Sequence, residues 1–190
     1  VTSHRRTAAD AARAIADALA ASGQPYAIGG ALALGVAGVP RGTKDVDVNV
    51  FVEADLAGVI IDVLTPLGIV FDRGPSMAKA ARDGMMIGDW EGMRIDVFFV
   101  SIPFSEEAGR TRSQVTVDGW TGSFLSPESI AVFKLLFFRI KDLADLAQLI
   151  AVRERDLDHA YIRGWLVTMM GEDDERVKRW DELVARYGPS

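Results

Sequence analysis

Residues 26–52 read YAIGGALALGVAGVPRGTKDVDVNVFV, and the order of three features inside this stretch decides the fold. A short apolar run, Tyr26-Ala27-Ile28, leads directly into Gly29-Gly30; Arg41-Gly42-Thr43 follows; Asp45-Val46-Asp47 then opens a second apolar run. Side chains alternate along a strand, so Asp45, Asp47 and Asn49 share one face while Val46, Val48 and Val50 share the other. Two carboxylates two residues apart repel each other and gain nothing from burial, so on a core strand they call for a cation between them. A divalent metal is the obvious candidate, and a solvated edge strand is the alternative. The first apolar run, the glycine pair and the helix-favouring Ala31-Leu32-Ala33-Leu34 read as strand, turn and helix. Such a turn lets backbone N–H groups approach a phosphate with no Cβ in the way, and a helix amino terminus adds partial positive charge. A simple tight turn is the plainer reading of the glycines.

Outward from that stretch, residues 7–22 place Ala12, Ile15, Ala16 and Leu19 at helical spacing before Gly23 and Pro25 end the run. Residues 53–67 read as a helix with Leu56, Val59, Ile60, Val63 and Leu64 on its inner stripe, closed by Gly68; 69–71 read as a brief strand and 75–82 as a short helix. Residues 85–90 and 93–100 form a hairpin about Glu91-Gly92. Its second strand sets Arg94, Asp96 and Phe98 opposite Ile95, Val97 and Phe99, which leaves Asp96 as an acid within an apolar run. Such an acid needs a metal or an ion partner, and Arg94 on the same face is the second option. Residues 113–125 read as two short strands about Asp118-Gly119. Ser126 is a good N-cap, Pro127 suits the first helical position and Glu128 the first turn of a helix running to Ile140, with Ile130, Phe133, Phe137 and Ile140 as its core stripe and Lys134 beside it. Residues 142–152, 157–170 and 175–187 give three more helices, the first with Leu143, Leu146 and Ile150 facing inward. The pattern predicts an α+β fold: a small mixed β-sheet core over residues 1–125 with flanking helices, and an α-helical part over 126–190 packed on it as one compact unit.

With 190 residues, 49% of them hydrophobic, the chain can bury one substantial core. A formal net charge of -6 argues against indiscriminate coating of nucleic acid, while leaving room for a local basic site. There are no cysteines and only two histidines, His4 and His159, which argues against disulfides, thiolate chemistry and a zinc enzyme. Arg5 and Arg6 lead into an alanine-rich amphipathic stretch rather than a signal peptide, and no apolar run is long enough to span a bilayer. The expectation is a cytoplasmic protein with no membrane partner.

Taken in order, Gly29-Gly30 opening a helix, Asp45-x-Asp47 on the next strand and Asp96 within Arg94-Ile95-Asp96-Val97-Phe98 resemble the nucleotidyltransferase superfamily of polymerase-β-like enzymes. Ser126-Pro127-Glu128 with Lys134, followed by Arg139-Ile140-Lys141-Asp142-Leu143-Ala144-Asp145-Leu146, look like the AbiEii and MenT type of nucleotidyltransferase toxin, so the likeness covers residues 26–150. It implies a toxin of a toxin–antitoxin pair that transfers NMP from an NTP to an RNA acceptor, such as the 3′ end of tRNA, with a cognate antitoxin as partner. It also implies Mg²⁺ as cofactor, as two ions about 3.5–4 Å apart that Mn²⁺ could replace. Asp45 and Asp47 would hold both ions, and Asp96 would complete the site that activates the acceptor hydroxyl. Gly29 and Gly30 would contact the triphosphate, Lys134 would neutralise charge developing on the phosphoryl oxygens, and Asp145 joins the catalytic set. Arg41, Thr43, Lys44 and Arg139 are candidates for holding phosphate or sugar, while Arg41, Lys44, Arg139, Lys141, Arg153 and Arg155 would form an RNA track. A solvated loop or helix face is the plainer reading of these cations.

On one continuous helix Lys134 and Asp145 would share a face but stand about 16 Å apart along the axis, so a common role requires a break near Lys141. Two other functions fit the same acids. One is a small-molecule nucleotidyltransferase acting on an antibiotic or metabolite, whose acceptor would favour an acidic cleft; the other is a degenerate, non-catalytic nucleotide-binding module.

Overall fold

A computed structural model describes residues 6–189; His4 and Arg5 lie outside them. The chain runs α1 (Ala8–Ala21), β1 (Tyr26–Ile28), α2 (Gly30–Val36), β2 (Val46–Glu53), α3 (Ala57–Leu64), α4 (Arg73–Asp83), β3 (Met85–Trp90), β4 (Met93–Val100), α5 (Pro103–Thr111), β5 (Ser113–Val117), β6 (Trp120–Phe124), α6 (Pro127–Phe137), α7 (Ile140–Arg153), α8 (His159–Met170) and α9 (Glu175–Tyr187). The strands form one mixed sheet in the order β3-β4-β2-β1-β6-β5. This is the α+β fold expected from the sequence.

Local chemistry sets the main elements. Thr7 caps α1: its hydroxyl accepts from the Asp10 N–H at 3.1 Å while the Asp10 carboxylate accepts from the Thr7 N–H at 3.0 Å. Ala12, Ile15, Ala16 and Leu19 of that helix are buried, as their spacing requires. In β2, the face of Val46, Val48 and Val50 is buried while Asp47 and Asn49 alternate to the half-buried side. Because β2 lies between β1, which is antiparallel to it, and β4, which is parallel, its backbone is paired on both edges. Parallel pairing with β4 puts Asp47 in register with Asp96. One continuous hydrophobic cluster extends from α1 through the sheet to Val177 and Trp180 of α9.

Four expectations need correction. The 53–67 segment begins and ends as 3-10 turns, at Ala54–Leu56 and Thr65–Leu67. The tighter winding changes the helical phase, so Leu56 and Val59 are exposed and the inner stripe is Ala57, Ile60, Ile61 and Leu64. Residues 69–71 make only an isolated bridge, between Val70 and Asp89. Helix α5, unforeseen in the sequence, starts on Pro103 and buries Phe104 and Ala108, too short a run to announce itself by periodicity. Finally, the helix after Ser126 stops at Phe137. Phe138 takes the left-handed conformation (φ 55°, ψ 31°), and Phe137 and Ile140, expected in the core, are 48% and 89% exposed.

Candidate active site

The site grows from the crossing of β1, β2 and β4. Gly30 has φ +54°, and a Cβ there would lie 1.8 Å from Asp47 Oδ2, so only glycine lets the turn sit against that carboxylate. The Gly29 N–H donates to the Asp47 carbonyl at 2.9 Å. That bond corrects one expectation: the Gly29 N–H is already engaged and cannot serve a phosphate, leaving Gly30 and Ala31 as the turn residues that line the cleft. Gly30→Ala should displace the Asp47 carboxylate, at a stability cost of about 1–2 kcal/mol for the left-handed backbone. Thermal melting checks this; a parental melting temperature would mean that Asp47 need not sit against the turn.

The cleft has a volume of about 570 Å³, and Asp45, Asp47 and Asp96 all line it. The Asp47 carboxyl is pushed above the usual carboxylate range, first by burial and then by the like charges of Asp96 and Asp45, which outweigh Arg139 and Lys134. Asp96 is turned toward Arg94, whose Nε lies 2.8 and 3.0 Å from its two oxygens, so the ion pair foreseen as the alternative is formed. Arg94 is exposed, and a solvent-screened pair of this kind is weak enough for a divalent cation to displace. Among the described residues no three acidic or histidine side chains form a ready-made metal cage. The donor set nevertheless fits a hard cation: the oxygens are all carboxylate, and Asp47 carries repulsion that only positive charge relieves.

Across the cleft stands the broken helix. Its left-handed residue at Phe138 lies three positions before the point expected, and α7 restarts with the Asp142 carboxylate accepting from the Arg139 N–H at 3.2 Å. The turn brings together groups that a straight helix would hold apart. Lys134 Nζ lies 2.5 Å from Asp145 Oδ2 and 3.3 Å from Asp142 Oδ1. Arg139 Nε donates to Asp142 at 2.6 Å, and Arg41 reaches Asp145 at 3.3 Å. Burial pushes the Asp142 carboxyl up, but the hydrogen bond from Arg139 and the charges of Lys134 and Arg139 outweigh it and hold the group below its usual range. Lys134, Arg139 and Asp142 line the cleft, whereas Asp145 stands behind Lys134 and Arg41 and holds both.

Of the remaining candidates, Arg41, Thr43 and Lys141 line the cleft, and Lys44 is exposed between two lining residues. The Thr43 hydroxyl accepts from the Asp45 N–H at 3.2 Å and donates to the Asp45 carbonyl at 3.0 Å, so it fixes the approach to β2. Arg153 and Arg155 lie at the far end of α7, about 18 Å along its axis from Lys141, and do not extend a track along the cleft. Sequence reasoning missed the roles of Asp142, Phe98 and Phe137, which also line the cleft. Asp142 had a signal, as an acid three residues beyond Arg139 where a second helix could begin.

No protein-family model matches the chain, and none of the curated proteins does. Among solved structures, a protein of Thermotoga maritima assigned to the nucleotidyltransferases aligns at a TM-score of 0.51 and 15% identity, over 78% of this chain and 97% of that one. The fold is therefore a nucleotidyltransferase fold. Two particular structures align less well: the antibiotic-resistance factor ANT(2'')-Ia, at a TM-score of 0.49 and 16% identity over 91% of this chain and 89% of that one, and the lincosamide antibiotic adenylyltransferase LnuA, at 0.47 and 18% over 72% and 92%. At such identities the likeness is one of fold. No helix among the described residues is long and apolar enough to cross a membrane.

Proposed function

We propose that the chain is a metal-dependent nucleotidyltransferase that passes NMP from an NTP to a hydroxyl at the end of an RNA, such as the 3′ end of tRNA. The observation that carries this reading is the register of Asp47 with Asp96 on parallel strands, with Asp45 beside them and Gly30 and Lys134 facing the same cleft. Asp45, Asp47 and Asp96 would hold Mg²⁺ or Mn²⁺, which would supply positive charge against the triphosphate and make the attacking hydroxyl more acidic. Gly30 lets the turn sit against Asp47 and lines the cleft where the triphosphate would lie, Lys134 offsets charge on the phosphoryl oxygens, and Arg41 and Arg139 flank it. The cleft is balanced rather than acidic: Asp45, Asp47, Asp83, Asp96 and Asp142 line it with Arg41, Arg94, Lys134, Arg139 and Lys141, and the choice of an RNA acceptor over a small molecule rests on the likeness of residues 126–146 to RNA-modifying toxins. The toxin role, and with it a cognate antitoxin, rests on the likeness of residues 126–146 to AbiEii and MenT toxins. Growth arrest on expression, relieved by Asp47→Asn, tests it.

The direct experiment incubates the pure protein with Mg²⁺, each labelled NTP and total RNA, beside a panel of aminoglycosides and lincosamides. Label in RNA supports the reading; label only in a small molecule overturns the acceptor. With RNA, log affinity should fall linearly with log salt, and neutralising Lys44 or Lys141 should each flatten that slope by roughly 0.7, the single-strand value per phosphate contact. A slope that both substitutions leave untouched would remove these lysines from the RNA path.

A further inference from the structure

Phe137 is the last residue of α6, one turn beyond Lys134, and it lines the active-site cleft while remaining 48% exposed. Its ring meets Phe98 edge to face, with centroids 5.9 Å apart, and the Arg139 guanidinium lies over it at 4.8 Å. Phe98 stands on the same face of β4 as Asp96, two residues further on. Backbone geometry enforces this placement: the left-handed Phe138 tucks its own ring under Arg176, at 5.5 Å, and turns Phe137 outward. Aromatic residues rarely adopt that conformation, and strained residues of this kind cluster at functional sites. The break thus leaves the Phe137 ring half exposed at the cleft, with the Arg139 guanidinium over one of its faces.

We infer that Phe137, braced by Phe98 and flanked by Arg139, is a stacking platform for the terminal base of the RNA acceptor. The inference rests on the reading of the site as an RNA nucleotidyltransferase and assigns a binding surface to it. Three considerations favour the acceptor base over the base of the incoming NTP. Phe98, which braces the ring of Phe137, stands on β4, the strand that carries Asp96, the acid assigned to the acceptor hydroxyl. The triphosphate turn at Gly30 follows β1, on the opposite side of β2 in the sheet. Two residues along a strand span about 7 Å, comparable to the reach from a ribose hydroxyl to its own base. A flat ring with a cation beside it suits any base, because every base offers a π face, and the cation meets the adjoining phosphate.

The test measures binding without turnover, so it is separable from the proposed activity. A short RNA carrying 2-aminopurine at its 3′ end is titrated with the full chain in Mg²⁺, without NTP. The parent should quench the probe on binding. Phe137→Leu should weaken binding about tenfold and abolish most of the quench, and Phe137→Tyr should restore both. Ile140→Ser, an exposed residue three positions on that is not aromatic, should leave the quench intact. Thermal melting confirms folding; should Phe137→Leu not fold, Phe98→Leu carries the same expectation. Equal losses in Phe137→Leu and Ile140→Ser, or an effect of Phe137→Leu on a non-hydrolysable NTP and not on RNA, would overturn the platform. Transfer to RNA with an unaltered probe response would overturn the platform alone. No transfer and no RNA binding would remove the proposed function with it.

Discussion

Asp47→Asn is expected to abolish nucleotide transfer and, in the same protein, to raise the melting temperature of the metal-free form. The first effect follows from removing a carboxylate from the centre of the cleft, where lost stabilisation of the transition state should lower the rate about 10³-fold or more. The second follows from the charge around it. Asp47 sits between Asp45 and Asp96, and burial together with those two charges raises its carboxyl above the ordinary value. A raised carboxyl binds its proton more tightly in the folded state than in the unfolded one. Its contribution is therefore favourable below the unfolded value near 3.8 and is lost as pH rises through the folded value. At neutral pH the metal-free protein carries this site as a cost, which Asn removes. For a chain of this length each kcal/mol recovered shifts the melting temperature by roughly 2–4 °C. Mg²⁺ should stabilise the parent by binding the folded form alone, and the variant much less. Calorimetry in EDTA and in Mg²⁺ checks both arms. A well-folded Asp47→Asn protein that still transfers nucleotides would remove the carboxylate–metal mechanism, and one that melts lower in EDTA would show that Asp47 has a stabilising partner.

The second large effect is expected at Lys134. The residue is 6% exposed, and its ammonium sits between Asp145 and Asp142, the latter fully buried. Lys134→Met would leave two buried carboxylates with only Arg139 and Arg41, each at the edge of the cluster. Removing one partner of a buried ion pair typically costs about 3–5 kcal/mol, which translates to a fall of roughly 6–20 °C in melting temperature. Transfer, assayed well below that temperature, should fall about 100- to 1,000-fold through loss of charge at the phosphoryl oxygens. The pH profile adds an independent check. Asp142 is held below its usual range, so its contribution is present above the unfolded value and is lost as pH falls through the folded value. Acid melting of the parent should therefore steepen below about pH 4, and Asp142→Asn should flatten that limb. A Lys134→Met protein with parental stability would mean that the buried network is not coupled through this lysine.

These two residues illustrate how differently the site was written in the chain. Asp47 and Asp96 were legible because strand alternation is a local property: an acid at an alternate position of an apolar run defines a face regardless of what packs around it, whereas Asp45, expected on the same strand, lies just before β2 and is exposed. The strands over Tyr26–Ile28, Met85–Trp90 and Met93–Val100 were likewise legible, being bounded by glycine turns or a proline. The meeting of Lys134 with Asp145 was foreseen only as a requirement, that the helix must break. The sequence could not place the break, because Phe138 is neither glycine nor asparagine and nothing local favours a left-handed conformation there. Only tertiary packing decided it. The Phe138 ring is held under Arg176 of α9, and Lys134 draws Asp142 and Asp145 inward from the restarted helix. The same break exposed Phe137 and Ile140, which periodicity alone had assigned to the core. Which strands neighbour one another, and hence the pairing of Asp47 with Asp96, also lay beyond the sequence, since parallel register depends on connections that pass through α3, α4 and β3.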